Sequence, residues 1–296
     1  MRIVEVTGGL GNQMFQYAFG KYLSKKYPND DIKYDLDYYG LNNSIRKYSL
    51  KEAFNLDLIA ASKKEIRAIR GYYQYDSRFI RKINSIFKGY GSAKCEIIEN
   101  LDKSVEDNKK DSPSSTYYSG YWQSEKYFQN FRKEILSDFS FKITSSSAEM
   151  KKMCEEMEDS FSVALHVRLE DYLQGNNYLV YGNICTSDYY KEAIDIIIKE
   201  HPDAVFYLFT TDSHKALEML PDSVDYRIVQ YDGQRDYYDM YLMSRCKSNI
   251  IANSTFSWWG AWLNENNDKT VLCPSRWLNN HDAYNQYCDG WKIVNV

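Results

Sequence analysis

The stretch HVRLEDY, residues 166–172, follows directly on the apolar run FSVAL and presents His166, Arg168, Glu170 and Asp171 where a buried strand would continue with core residues. A planar guanidinium is the side chain suited to bidentate contact with a phosphate, which singles out Arg168. His166 and Asp171 are the local groups able to exchange a proton during a reaction. Further on, NSTFSWWGAWLN places Asn253, Ser254 and Thr255 ahead of a helical run that begins near Phe256. The unbonded N–H groups of a helix start attract anions, so an arginine and a helix start at neighbouring strand ends point to a pyrophosphate. Plainer readings stand beside these: Arg168 could pair with Glu170, and NST could simply cap its helix. A cap alone does not account for Trp258, Trp259 and Trp262 crowding in behind it.

Two further clusters are less specific. GGLGNQM, residues 8–14, sets Gly9 in a turn and Asn12 and Gln13 at the start of a helix. That arrangement would give a ligand close backbone approach and two amides, although a tight turn explains it equally well. It departs from the dinucleotide fingerprint, because Met14 stands where a third glycine or alanine belongs. Asp35 and Asp37 form an Asp-x-Asp that could hold a divalent cation or be only a turn. His166, His201, His214 and His281 show no metal-ligand spacing, and the chain has neither a nucleophile elbow nor a P-loop. No metal or bound cofactor is expected.

The elements that must position these residues are clearest in the second half. Strand-like runs at 161–167, 204–210, 225–231, 248–253 and 270–274 alternate with helix-like runs beginning near Ser187, Ser213, Arg235 and Phe256. Such alternation predicts a mostly parallel, doubly wound sheet. Ligands bind beyond the carboxyl ends of the strands in sheets of this kind. That rule gathers His166, Arg168, Asp212, Gln230, Asp232 and the 253–255 cap on one edge. The first half opens with a strand at RIVEVT and a helix through NQMFQYAFGKYLSKKY, with Phe15, Ala18, Phe19, Tyr22 and Leu23 on one face. TYYSGYW reads as another strand, and the region from about 30 to 115 shows no sustained period. Ser145, Ser146 or Ser147 could cap a following Glu-rich helix, which places a boundary between a domain at 1–145 and one at 146–296.

Composition narrows the class. The 296 residues carry a net charge of −4 and no basic stripe, which excludes a nucleic-acid footprint. The aromatic excess, 28 Tyr and 6 Trp, suits sugar stacking and plain packing alike. Six cysteines without paired spacing read as reduced thiols. The N-terminus enters a strand without a signal-like apolar core, and no run approaches the ~18 apolar residues of a membrane span. A cytoplasmic location is expected, with membrane association at most peripheral.

GGLGNQMFQYAFG, HVRLEDY and YLMSRCKSNIIANSTFSWWGAWLN, in that order and spanning nearly the whole chain, resemble the bacterial family 11 glycosyltransferases, the α-1,2-fucosyltransferases. The resemblance implies an α/β protein of two Rossmann-like domains facing a cleft, the GT-B arrangement, with the acceptor side at 1–145 and the donor side at 146–296. It also implies GDP-L-fucose as donor, a galactose-terminated glycan as acceptor, inversion at the anomeric carbon and no metal requirement. Carried over to this chain, Arg168 binds the donor pyrophosphate, and His166 and Asp171 complete its motif. Asn253, Ser254, Thr255 and Phe256 hold the nucleotide end, while Gly9, Asn12 and Gln13 line the cleft from the first domain. Two departures matter. The family pattern His-x-Arg-Arg-x-Asp has Leu169 in place of its second arginine, and the Ser-Asp-Asp block is FTTDS here, leaving Asp212 as the single carboxylate. The alternatives are an oxidoreductase with a nicotinamide or flavin on the GGLG turn, and a non-catalytic carbohydrate-binding protein.

Overall fold

The computed structural model describes residues 1–41, 46–71, 95–143, 147–169, 175–231, 235–279 and 285–296. The chain divides into two compact units, Met1–Ser140 and Phe141–Val296. In the first, β1 (Arg2–Glu5) pairs in parallel with β2 (Ile32–Asp35) and β4 (Thr116–Ser119), and β4 pairs with β3 (Glu96–Ile98). The strand order is β2-β1-β4-β3, so the direction of winding reverses between β1 and β4. Helix α1 (Leu10–Lys26) makes the first crossover and is buried on more than the single face expected, because Gln13 and Gln16 are enclosed together with Met14, Phe15, Ala18, Phe19 and Leu23. Phe19 stacks on Trp122 with ring centroids 4.0 Å apart, so part of the aromatic excess is core. Short helices α2 (Leu50–Phe54), α3 (Lys63–Arg70), α4 (Val105–Asn108) and α5 (Arg132–Asp138) follow in chain order. α3 starts at a reciprocal Ser62–Glu65 capping box and stops at Gly71, whose φ of 82° suits glycine.

Asp35 ends β2, and its carboxylate accepts the Tyr117 hydroxyl at 2.8 Å and the Asp37 N–H at 3.1 Å. The Asp-x-Asp is therefore a side-chain-closed turn, the plainer of its two readings.

The second unit holds β5 (Ser162–His166), β6 (Val205–Phe209), β7 (Tyr226–Ile228), β8 (Ser248–Ile250), β9 (Val271–Pro274) and β10 (Lys292–Val294), all parallel, in the order β10-β9-β8-β5-β6-β7. The first five are the strand-like runs of the sequence in shortened form; β10 had no signal of its own. Helices α6 (Ala148–Asp159), α7 (Gly175–Tyr181), α8 (Ser187–Glu200), α9 (Ser213–Leu217), α10 (Asp236–Arg245) and α11 (Thr255–Trp262) accompany them. Ser147 is the residue that caps α6, accepting the Met150 N–H at 3.2 Å. β5 is buried at every position, as a central strand covered on both faces must be. α8 buries Tyr189, Tyr190, Ala193, Ile194 and Ile197, one stripe at helical spacing, against Val163, Leu165 and Phe206.

The tryptophan crowd proves to be core. Trp258, Trp259 and Trp262 are all fully enclosed and lie against one another with centroids 4.9–6.2 Å apart, where α11 packs on α10. Their density after the cap needs no ligand to explain it. Among the described residues no helix is long and apolar enough to cross a membrane.

Candidate functional site

Winding in the second sheet starts at β5, moves outward to β7, returns beside β5 as β8 and moves outward again. The reversal lies between β5 and β8, the place where an open α/β sheet leaves a crevice beyond its strand ends. Leu165 is in register with Ile250 on one side and with Leu208 on the other. Arg168 and Asn253 each follow three residues behind that line, in the segments that leave these two neighbouring strand ends.

A cavity of about 400 Å³ opens there, and its wall includes Arg168, Leu169, Cys185, Lys215, Glu218 and Asn253. Arg168 and Asn253, expected separately from two motifs, thus meet in one place. Asn253 is buried, and its amide ties the wall together. Nδ2 donates to the carbonyls of Tyr181 at 3.2 Å and Trp277 at 3.3 Å, while Oδ1 accepts the Cys185 thiol at 3.5 Å. Burial pushes that thiol up to about 12, so Cys185 is a packing residue and not a nucleophile. Leu169 has its side chain in the apolar cluster with Leu165, Tyr189 and Ala216. Position 169 is thus a core position in this chain, which explains why it holds leucine.

His166 is buried at the end of β5, with its ring centroid 6.0 Å from that of Phe256. Its Nδ1 has no hydrogen-bond partner. Burial, and secondarily the Arg168 charge, push the imidazole down to about 3. A group so hard to protonate is a poor proton acceptor, so the expectation of His166 as a catalytic base does not fit its environment. Asp171, its companion in the motif, lies outside the described residues, as does Asp232.

Ser254 is the N-cap of α11 and accepts the Phe256 N–H at 3.3 Å, with Thr255 as the first helical residue. Asp212 is likewise a cap: its carboxylate accepts the Lys215 N–H at 3.1 Å and pairs with Lys215 Nζ at 3.0 Å. These contacts hold its carboxyl below the usual range, through the Lys215 backbone bond first. Lys215 lines the cavity and is a cation that the sequence reading did not single out. Its signal was an Asp-x-x-Lys just past a strand end on the ligand edge.

The glycine turn belongs to the first unit and sits at that sheet's own reversal. Gly8, with φ 81°, is the position that requires glycine, since a Cβ there would meet Asn12 Nδ2 at 2.6 Å. Gly9 has an extended backbone and open space where a Cβ would stand. Asn12 is half-buried and accepts from Gln123 Nε2 at 3.0 Å. Gln13 requires a correction. It is fully buried, its Nε2 donates to the carbonyls of Gly8 at 3.1 Å and Lys47 at 2.8 Å, and its Oε1 accepts the Ser49 N–H at 2.9 Å. That amide fastens loops and has no face left for a ligand.

Comparison with known proteins places the chain in a family. The family model described as glycosyl transferase family 11 matches residues 1–295. O-antigen biosynthesis glycosyltransferase WbnK of Escherichia coli is 31% identical over 304 residues, 97% of this chain and 98% of that protein. An alpha-1,2-colitosyltransferase of Escherichia coli is 29% identical over 280 residues, covering 93% of this chain and 92% of that protein. Galactoside alpha-(1,2)-fucosyltransferase 1 of Ateles belzebuth is 27% identical over 154 residues, 49% of this chain and 42% of that protein. The chain belongs to glycosyltransferase family 11.

Proposed function

We propose that the protein transfers L-fucose, with inversion, from GDP-β-L-fucose to the 2-hydroxyl of a terminal β-galactoside in an oligosaccharide or surface glycan. The observation that carries the reading is the meeting of Arg168 and Asn253 on one cavity at the strand-order reversal. A relative named as a galactoside alpha-(1,2)-fucosyltransferase supports the sugar and the linkage. Family membership does not favour the oxidoreductase or the non-catalytic alternative.

In the proposed reaction the bond from the fucosyl anomeric carbon to the β-phosphate breaks, and its electron pair leaves with GDP. Charge neutralisation by Arg168 lowers this barrier because the guanidinium is already in place before charge develops. The galactose 2-hydroxyl attacks the oxocarbenium-like centre from the opposite face and loses its proton, as in other glycosyl chemistry. With His166 unsuited, we assign that proton to Asp171. No step calls for a metal, and activity is expected to persist in EDTA.

Incubation with GDP-fucose and lactose tests the reading, with α-1,2-fucosyl-lactose and GDP as the expected products. The colitosyltransferase relative makes GDP-colitose the natural rival donor. Exclusive turnover of that donor would replace fucose, and turnover of neither donor on lactose or other galactosides would end the proposal.

A further inference from the structure

We infer that Lys215 is the second cation of the donor site, gripping the diphosphate opposite Arg168, and that Asp212 is the residue that positions it. The inference rests on the nucleotide-sugar reading above and names a binding residue that the motifs did not supply.

Each phosphoryl group of a nucleotide-sugar diphosphate carries a negative charge, and a single guanidinium leaves one of them unmatched. Leu169, at the place of the motif's second arginine, carries no charge and packs in the core. Lys215 can: it and Arg168 stand on the wall of the same 400 Å³ cavity, reached from the neighbouring strand ends of β6 and β5. Lys215 is 63% exposed on its side chain, so the ammonium remains hydrated and mobile enough to turn toward a ligand. Its ion pair with Asp212 is a solvent-screened contact that a doubly charged ligand can displace.

The same pair explains Asp212. A carboxylate laid directly on a diphosphate would repel it, so a donor contact through Asp212 itself is unfavourable. As the cap of α9, accepting the Lys215 N–H, Asp212 fixes the first turn from which Lys215 projects. Its second oxygen pairs with the ammonium at 3.0 Å and limits its range until a ligand arrives. Glu218, also on that wall, adds a repulsion that helps to discriminate against more highly charged anions.

The test compares GDP and guanosine binding, by calorimetry and saturation-transfer NMR, in the wild type, Lys215→Met and Lys215→Arg. Lys215→Met keeps the stem and removes the charge; GDP affinity is expected to fall about ten- to a hundredfold, with Lys215→Arg restoring most of it. Guanosine, which lacks phosphates, is expected to bind all three proteins alike. Asp212→Asn keeps the helix cap but loosens the ammonium, so the Michaelis constant for the donor should rise while kcat changes little. Unaltered GDP affinity in Lys215→Met, or an equal loss of guanosine, would overturn the inference and leave the transferase reading in place. Failure of the wild type to bind GDP at all would overturn both.

Discussion

Arg168 is where the charge argument is most exposed to test. A bidentate fork on a phosphate should tolerate neither truncation nor replacement by a point charge, so GDP affinity is expected to fall about a hundredfold in Arg168→Ala and about tenfold in Arg168→Lys. Equal binding in wild type and Arg168→Ala would mean that the phosphates lie elsewhere. His166 makes the complementary prediction. Held down to about 3, it stays neutral across the working range, so the pH–rate profile should show no limb from it. His166→Asn should keep the shape of the wild-type profile, whereas loss of an ionisation near neutrality would show that the imidazole titrates in catalysis. Asp171→Asn should lower kcat and leave the donor Michaelis constant nearly unchanged.

At the scale of elements, polar residues that look like ligands are in several cases fasteners. Gln13, itself fully buried, joins the start of α1 to the Gly8 turn and to the segment at 47–49 with three part-buried hydrogen bonds. Gln13→Ala should destabilise the first unit by about 2–3 kcal/mol in urea unfolding, since each buried group left unsatisfied costs about 1–3 kcal/mol. A stable variant with a weakened donor affinity would return Gln13 to the ligand list. Trp259, enclosed in the α10–α11 contact, should cost about 3–5 kcal/mol when cut to alanine, with no effect on GDP affinity beyond that of stability. These cases show what was legible in the sequence. The alternation of strands and helices in the second half was readable because β5 and β6 carry continuous apolar stretches and α8 keeps one clean stripe. The edge position of Arg168 and Asn253 followed from that pattern. Strand order, the β10 pairing and the cavity shared by Arg168 and Asn253 were not readable, because register is set by long-range pairing. The roles of Gln13 and the tryptophans were misread, and the cap made by Asp212 was missed, for a related reason. Caps, loop ties and buried aromatics use the same residue types as ligand sites, and only burial and partners separate them.

For the whole molecule, the neutral burial of His166 links the site to stability. The unfolded imidazole titrates near 6.5 and the folded one near 3. Above pH 6.5 both states are neutral and the residue adds no pH dependence. As pH falls from 6.5 toward 3, only the unfolded chain gains the proton, so stability declines. The unfolding free energy of wild type relative to His166→Asn should therefore be constant above pH 6.5 and shrink progressively on acidification. A difference that stays constant down to pH 4 would contradict the burial argument. The central claim is that the second sheet's edge, at the β5–β8 reversal, is a nucleotide-sugar diphosphate site. A crystal structure of the protein with GDP tests it most directly. The diphosphate is predicted on Arg168 and Lys215 in the cavity bordered by Asn253; a nucleotide seated on the Gly8 turn, with that cavity empty, would contradict it.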